Sequence, residues 1–337
     1  MMPKNNKKVG LAFLLVVLTF CLSLFCGRYE IEPSRLVQLL KLAPAEWLNQ
    51  ADASVFYYIR LPRIILAMLV GASLSASGAL FQGMFRNPLV SPDILGVSAG
   101  CCFGAAAGII LSSYVAYPYL IPLLAFIAGI IAMSLAYGIA AVSRGEPIVM
   151  LILAGMVVGG FFSAGLSFLK YMADPYEDLP AIVFWMMGGF YRANWDIVTD
   201  LLVTLLPCMI LLCLLAWKIN VLSLGDEEAA ALGVNVRVFR LLLIGVATFM
   251  VAGSVSVTGT IGWVGLIIPH IARMLVGSDH KLVIPMSMLI GGAFVMLMDN
   301  LARCMTTSEI PISILTAALG TPFFAYLLIK GRGKEWG

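Results

Sequence analysis

Few residues in this 337-residue chain have the types and spacing that chemistry requires. The two histidines, His270 and His280, stand alone. The seven cysteines (21, 26, 101, 102, 208, 213 and 304) mostly fall inside apolar runs without metal-ligand spacing, which points to packing. No GxxxxGK[ST] loop occurs, and the terminal GRGKEWG lacks the spacing and the following helix that cradle a phosphate, so the chain does not hydrolyse ATP by itself. A nucleophile elbow, an HExxH and a paired carboxylate within a span are also missing, which argues against an enzyme. What remains is one charged island, GDEEAAALGVNVRVFR (Gly225 to Arg240), with acids at its start, Arg237 and Arg240 at its end and alanines between.

The elements that must position this island are set by composition. Hydrophobic residues make up 61% of the chain and charged residues 12%, with a mean hydropathy of +1.00, far from a soluble domain. The net charge of +3 is small and the basic residues are scattered, which excludes nucleic acid as a partner and leaves membrane lipid.

Uncharged stretches measured against the ~20 residues of a membrane helix give about ten spans. They are Val9 to Gly27, Ile64 to Phe85, two from Ile94 to Ser143 divided at SSYVAYPYL, Pro147 to Leu169 and Ile197 to Trp217. Leu241 to Ala272 supplies two more around VTGTIGWVG, followed by Leu282 to Met298 and Ile310 to Ile329. The lysines ahead of the first span, without a small-residue cleavage site, make it an anchor. Asp200 and Asp299 fall near span ends, where water caps an interfacial carboxylate.

Basic residues in short loops collect on the cytoplasmic side. With the amino terminus inside, Lys4, Lys7, Lys8, Arg86, Arg144, Lys218, Arg237, Arg240, Arg273, Lys281, Lys330, Arg332 and Lys334 lie there, 13 of the 21 basic residues. Both termini are then cytoplasmic. The layout runs helices 2–5 and 7–10 in opposite directions, as inverted repeats would. GASLSASGALFQGMF and VAGSVSVTGTIGWVG share only small-residue spacing, which chance between two small-residue helices also produces.

On this layout the island lies in the longest cytoplasmic loop, about 218–240. EEAAALG is a strong helix former with acids at the favourable end of its dipole, and Gly233 is suited to end it. Such a helix is either a solvated connector or a rigid knob for a soluble partner.

The stretch IRLPRIILAMLVGASLSASGALFQGMFRNPLVSPDILGVSAG (Ile59 to Gly100), together with GDEEAAALGV, GTIGWVGLIIPHIARMLVGSDH and EIPISILTAALGTPFFAYLLIK, resembles the permeases of iron–siderophore, haem and cobalamin ABC importers. RNPL, GLIIPHIAR and GTPFF in this order are highly specific, and the match covers nearly all the chain after the first span. The resemblance implies an all-α integral membrane protein with the type II importer fold, one permease domain over 1–337. It implies a homodimer in the bacterial cytoplasmic membrane, with two cytoplasmic ATPases and a periplasmic or lipid-anchored binding protein. ATP and Mg would belong to the ATPase, leaving this chain without a cofactor or metal.

Residue by residue, the resemblance makes Asp226, Glu227, Glu228, Ala230, Leu232, Gly233 and Val234 the ATPase-coupling helix. Asp226, Glu227, Glu228 and Arg237 would form rim ion pairs. Arg60, Arg63 and Arg303 would be periplasmic and meet carboxylates of the binding protein, for which a guanidinium is well shaped; snorkelling to lipid phosphates is the alternative. The turns RNPLVSP and SRGEP would narrow the inner mouth, making Asn87, Pro88, Leu89, Ser143 and Arg144 the gate. Arg144 departs from the small polar residues that suit a narrow gate, and either pairs with Glu146 or favours an anionic cargo. In the fifth span Met150 and Met156 would line the pathway beside Gly159, although its glycines serve equally for packing within one subunit. His270 belongs to the signature and is read as structural. Cargo would be a metal chelate or a related solute: siderophore, haem, cobalamin or metal oxyanion. A self-contained secondary transporter is the alternative, weakened by the scarcity of ionisable residues inside the spans.

Overall fold

The computed structural model describes residues 3–39, 41 and 50–330, and among them every regular element is helical. Arg332 and Lys334, and the side chains of Lys4 and Lys330, lie outside the described residues. Helix α1 spans Pro3–Phe25, and two short helices, α2 (Pro33–Leu39) and α3 (Ala51–Ser54), lead through a π-helical turn (Val55–Arg60) into α4 (Leu61–Met84). Then follow α5 (Val97–Ser112), α6 (Leu120–Val142), α7 (Pro147–Met172), α8 (Asp178–Met186), α9 (Trp195–Leu224) and α10 (Asp226–Ala231). Helices α11 (Val236–Thr258), α12 (Val264–Val276), α13 (His280–Cys304) and α14 (Ile312–Lys330) complete the chain. Seven helical segments are long and apolar enough to cross a bilayer, and three shorter apolar ones, in α5, α12 and α14, bring the set to the expected ten. The two long uncharged runs break at 113–119, which holds Pro118, and at the glycine- and threonine-containing 259–263.

Helix α4 is the axis of the packing: 83% of its most apolar window is buried. Its sequence explains this, because Gly71, Ser73, Ser75, Ala76, Ser77, Gly78 and Ala79 leave room for other backbones. A Cβ added at Gly71 would lie 2.3 Å from the Gly291 carbonyl oxygen on α13, and one at Gly78 would lie 1.9 Å from that of Gly265 on α12. Hydroxyls join the third neighbour, with Ser73 donating to the Met250 carbonyl of α11 at 3.2 Å and Ser254 donating to Ser73 Oγ at 3.2 Å. Helix α6 faces outward with Ile127, Ile131, Leu135 and Ile139 exposed at four-residue spacing, an apolar stripe suited to acyl chains.

The pairings are reciprocal in the way a repeat requires. The second span (α4) packs on the ninth (α13), and the seventh (α11) on the fourth (α6). Likewise the second packs on the eighth (α12), and the seventh on the third (α5). Small-residue spacing in α4 and α11 is therefore matched by equivalent neighbours.

The three short spans each follow a non-helical segment, and backbone there must find partners inside the protein. At 259–263 they come from α8 and the start of α14. Gly189 N–H donates to the Thr258 carbonyl at 2.8 Å, Ser313 Oγ to that of Thr260 at 2.9 Å, and Thr260 Oγ1 to that of Met186 at 2.5 Å. Ile312 and Ser313 N–H donate to Gly188 and Met187 at 3.1 and 3.2 Å. Gly188 (φ +70°) permits this approach, since a Cβ there would lie 2.4 Å from the Thr260 oxygen.

Candidate functional site

The charged island folds as expected into a short helix. Gly225 precedes α10 in an extended conformation open to glycine (φ +146°), and Asp226, Glu227 and Glu228 occupy the first turn, where the helix dipole favours acids. The end is a glycine stop. Gly233 takes φ +80°, its N–H donates to Ala230 at 2.9 Å, and Val234 N–H donates to Ala229 at 3.0 Å. Asn235 then caps α11 by accepting from Val238 N–H at 3.2 Å. Ala229 is buried against the body, whereas Glu227, Glu228, Ala230, Ala231, Leu232 and Gly233 are exposed, so α10 presents a small apolar tip with an acidic rim.

Within the chain one ion pair braces the rim. Asp226 accepts from Arg240 Nη2 at 2.7 Å, while Arg237 remains exposed and enters no ion pair among the described residues. The two arginines are three residues apart and line the same cavity as Asp226, but only Arg240 reaches its carboxylate.

The SRGEP turn stands beside this brace. Ser143, Gly145 and Pro147 line one cavity of about 430 Å3 with Asp226, Val236, Arg237 and Arg240. Ser143 Oγ donates to the Ile139 carbonyl at 2.7 Å, closing the end of α6. Glu146 accepts from Val149 N–H at 2.9 Å and so caps α7; no Arg144–Glu146 ion pair forms among the described residues, and Arg144 is exposed. The RNPLVSP turn is shaped by Asn87, whose Oδ1 accepts from Leu89 N–H at 2.9 Å and whose own N–H donates to Gln82 at 3.1 Å. Asn87 and Leu89 are exposed and Pro88 is half-buried. Among the described residues no hydrogen bond or ion pair joins the two turns within one chain.

Of the fifth-span residues, Met156 is exposed and Met150 half-buried, next to Gly145. Gly159 and Gly155 admit the segment before α5: a Cβ at Gly155 would lie 2.7 Å from the Ile94 oxygen, and one at Gly96 would lie 3.1 Å from Gly159 N. Packing within one subunit accounts for both glycines.

The three arginines of the opposite end are buried within the chain. Arg60, Arg63 and Arg303 are only 3%, 7% and 6% exposed, and each guanidinium is committed inside the chain. Arg60 donates to the carbonyls of Leu24, in the last turn of α1, and of Tyr29, just beyond it, at 2.5 and 2.6 Å. Arg63 donates from Nη2 and Nε to Asp299 Oδ1 at 2.8 and 2.9 Å, and from Nη1 and Nη2 to Glu309 at 2.9 and 3.0 Å. Arg303 reaches Asn300 at 2.6 Å and the Ser23 carbonyl at 3.2 Å, with its Nε 3.3 Å from Asp299. Asp299, 1% exposed, is thus a buried counter-ion shared by two arginines rather than a water-capped interfacial residue. Glu309 lies outside the spans. Burial alone would raise its carboxyl, but the hydrogen bonds and charge of Arg63 outweigh that and hold it below its ordinary value.

Sequence reasoning missed Asp93. It belongs to a 3-10 turn (Pro92–Leu95) ahead of the short α5, accepts from Ser98 Oγ, and lines a pocket of about 360 Å3 with Thr260, Trp263 and Ser313. The signal was present as a carboxylate one residue before an uncharged run of 50. It also missed Gln82, which donates to the Leu266 carbonyl at 3.1 Å and accepts from Arg273, tying α4 to α12. His280 is a buried partner of Asn220, bonded at 2.9 Å through Nδ1, and a Cβ at Gly83 would meet its ring.

Comparison with known proteins gives a consistent picture. The sequence model of the FecCD transport family matches residues 14–330. The molybdate import system permease protein of Haemophilus influenzae is 42% identical over 98% of both chains. The cobalamin import system permease protein of Halobacterium salinarum is 42% identical over 80% of this chain and 72% of its own, and the hemin transport system permease protein of Yersinia pestis 35% identical over 86% and 87%. A solved structure described as an inward-facing conformation of a metal-chelate type ABC transporter superposes with a TM-score of 0.86 at 40% identity, covering 96% of this chain and 99% of that one. With ten spans in the same arrangement and the family match running almost end to end, the chain belongs to the FecCD transport family of membrane permeases.

Proposed function

We propose that the chain is the membrane subunit of an ATP-driven, binding-protein-dependent importer for a metal complex, with cargo drawn from the class that spans siderophores, haem, cobalamin and metal oxyanions. Two copies assemble in the bacterial cytoplasmic membrane with both termini in the cytoplasm, and the cargo passes between them. Two ATPase subunits hold ATP and Mg and act on the permease through α10, while a periplasmic or lipid-anchored binding protein delivers cargo at the other end.

The observation that carries this reading is α10: a compact exposed tip, fixed at Asp226 by Arg240, that shares a cavity wall with the SRGEP turn. Force applied to α10 by a closing ATPase pair is passed through one ion pair to the start of α11 and across the cavity to Ser143 and Gly145. The RNPLVSP and SRGEP turns of the two copies then form the inner mouth, where Asn87, Leu89 and Arg144 are exposed. At the far end Arg60, Arg63 and Arg303 position the docking surface, and the half-buried Glu309 is the part of that cluster open to the binding protein.

Replacing Ala230 with Trp tests the reading, because Ala230 is exposed and the substitution blocks a cleft without disturbing the body. Co-purification of the cognate ATPase should be lost while the permease remains folded. Retained co-purification with normal stimulated ATP turnover would remove α10 from the mechanism.

A further inference from the structure

Along the α6–α11 seam the cavity beside α10 adjoins a second, of about 300 Å3, and the two share Tyr137 and Ile244 as walls. The first is lined by Arg237 and Arg240 and by one acid, Asp226, which pairs with Arg240, so its lining carries one more positive than negative group. The buried Nε–H of Arg240 finds no acceptor among the described residues. The second cavity is mostly apolar, lined by Ile130, Met133, Leu241, Gly245 and Phe249 among others. From Arg240 to Phe249 the helix rises about 13 Å, close to the ~15 Å of a single leaflet of hydrocarbon. The outward stripe of α6 borders the seam.

We propose that this seam binds one anionic phospholipid, its phosphate on Arg237 and Arg240 and an acyl chain over Gly245. A basic pocket between helices at the membrane surface is the chemistry that recognises acidic headgroups. A free phosphate would use the first cavity alone; the apolar continuation at the right length favours a lipid. The occupant would touch both the α10 brace and the SRGEP turn. The site stands independently of the transport reading.

Gly245 offers a clean test. A Cβ built there meets no atom within 4 Å, so the side chain of Gly245→Leu starts into open space on the acyl groove, and leucine is the better helix former. The full chain, delipidated in neutral detergent, is titrated with short-chain phosphatidylglycerol, with phosphatidylcholine and with inorganic phosphate, and binding is followed by native mass spectrometry. Phosphatidylglycerol should bind once per chain and more tightly than either control. Arg237→Gln should weaken it about fivefold, and Gly245→Leu should weaken it while leaving the thermal midpoint of the lipid-free chain unchanged or higher. Equal binding of the two lipids, unaltered binding by both variants, or phosphate binding as tightly as the lipid would each overturn the proposal.

Discussion

Asp299 should be the most sensitive single position at its end of the molecule. Its carboxylate is 1% exposed and accepts from Arg63 at 2.8 and 2.9 Å, with Arg303 Nε at 3.3 Å. Asp299→Asn keeps the shape and one acceptor but removes the negative charge, leaving two buried guanidinium groups with only Glu309, itself half-buried, as a counter-ion. Stranding a buried charge costs about 3–5 kcal/mol. At roughly 2 °C per kcal/mol for a large chain, the thermal midpoint should fall by about 6–10 °C. Arg63→Met is the informative companion, because it leaves Asp299 paired with Arg303 and lets Glu309 hydrate, so it should cost less than Asp299→Asn. Both are read by thermal unfolding of the detergent-solubilised chain, monitored by size-exclusion fluorescence. A larger loss for Arg63→Met, or a loss below about 1 kcal/mol for Asp299→Asn, would refute the claim that one carboxylate holds two arginines.

Acidification tests the outer member of the same cluster. A carboxyl held below its ordinary value contributes stability that is complete above that value, 4.5 for Glu309, and is lost as pH falls through the lower folded value; thermal midpoints between pH 6 and pH 3 should show this loss, and Glu309→Gln should flatten it. Gly71→Val should separate α4 from α13, since the new Cβ would lie 2.3 Å from the Gly291 oxygen, and cost on the order of 1–3 kcal/mol or more. Gly138→Ala, where nothing lies within 4 Å, is the matched control and should be neutral or stabilising in the same unfolding assay. Cysteine at Ser143, in a background lacking the native seven, should cross-link between two copies in some nucleotide states only; no cross-link in any state, with uptake intact, would move the inner mouth elsewhere.

The spans and the short helix α10 were legible in the sequence because their causes are local. Hydropathy over ~20 residues marks a span, and the glycines and prolines of VTGTIGWVG and SSYVAYPYL mark where it must stop, as the boundaries of α5, α6, α11 and α12 bear out. The acids, alanines and glycine that build α10 likewise act within one or two turns. What the tertiary structure decided was pairing across long separations. Arg63 looks like a surface residue at a span entrance until Asp299, 236 positions on, is brought against it. The same holds for Gly71 with Gly291, for Arg240 as the partner of Asp226, and for Asp93 beside Thr260 and Ser313. A charge or a glycine announces a need for a counter-ion or for space, but the partner that answers it is fixed only when helices with equal hydropathy choose neighbours by shape, and shape is a property of the packed bundle.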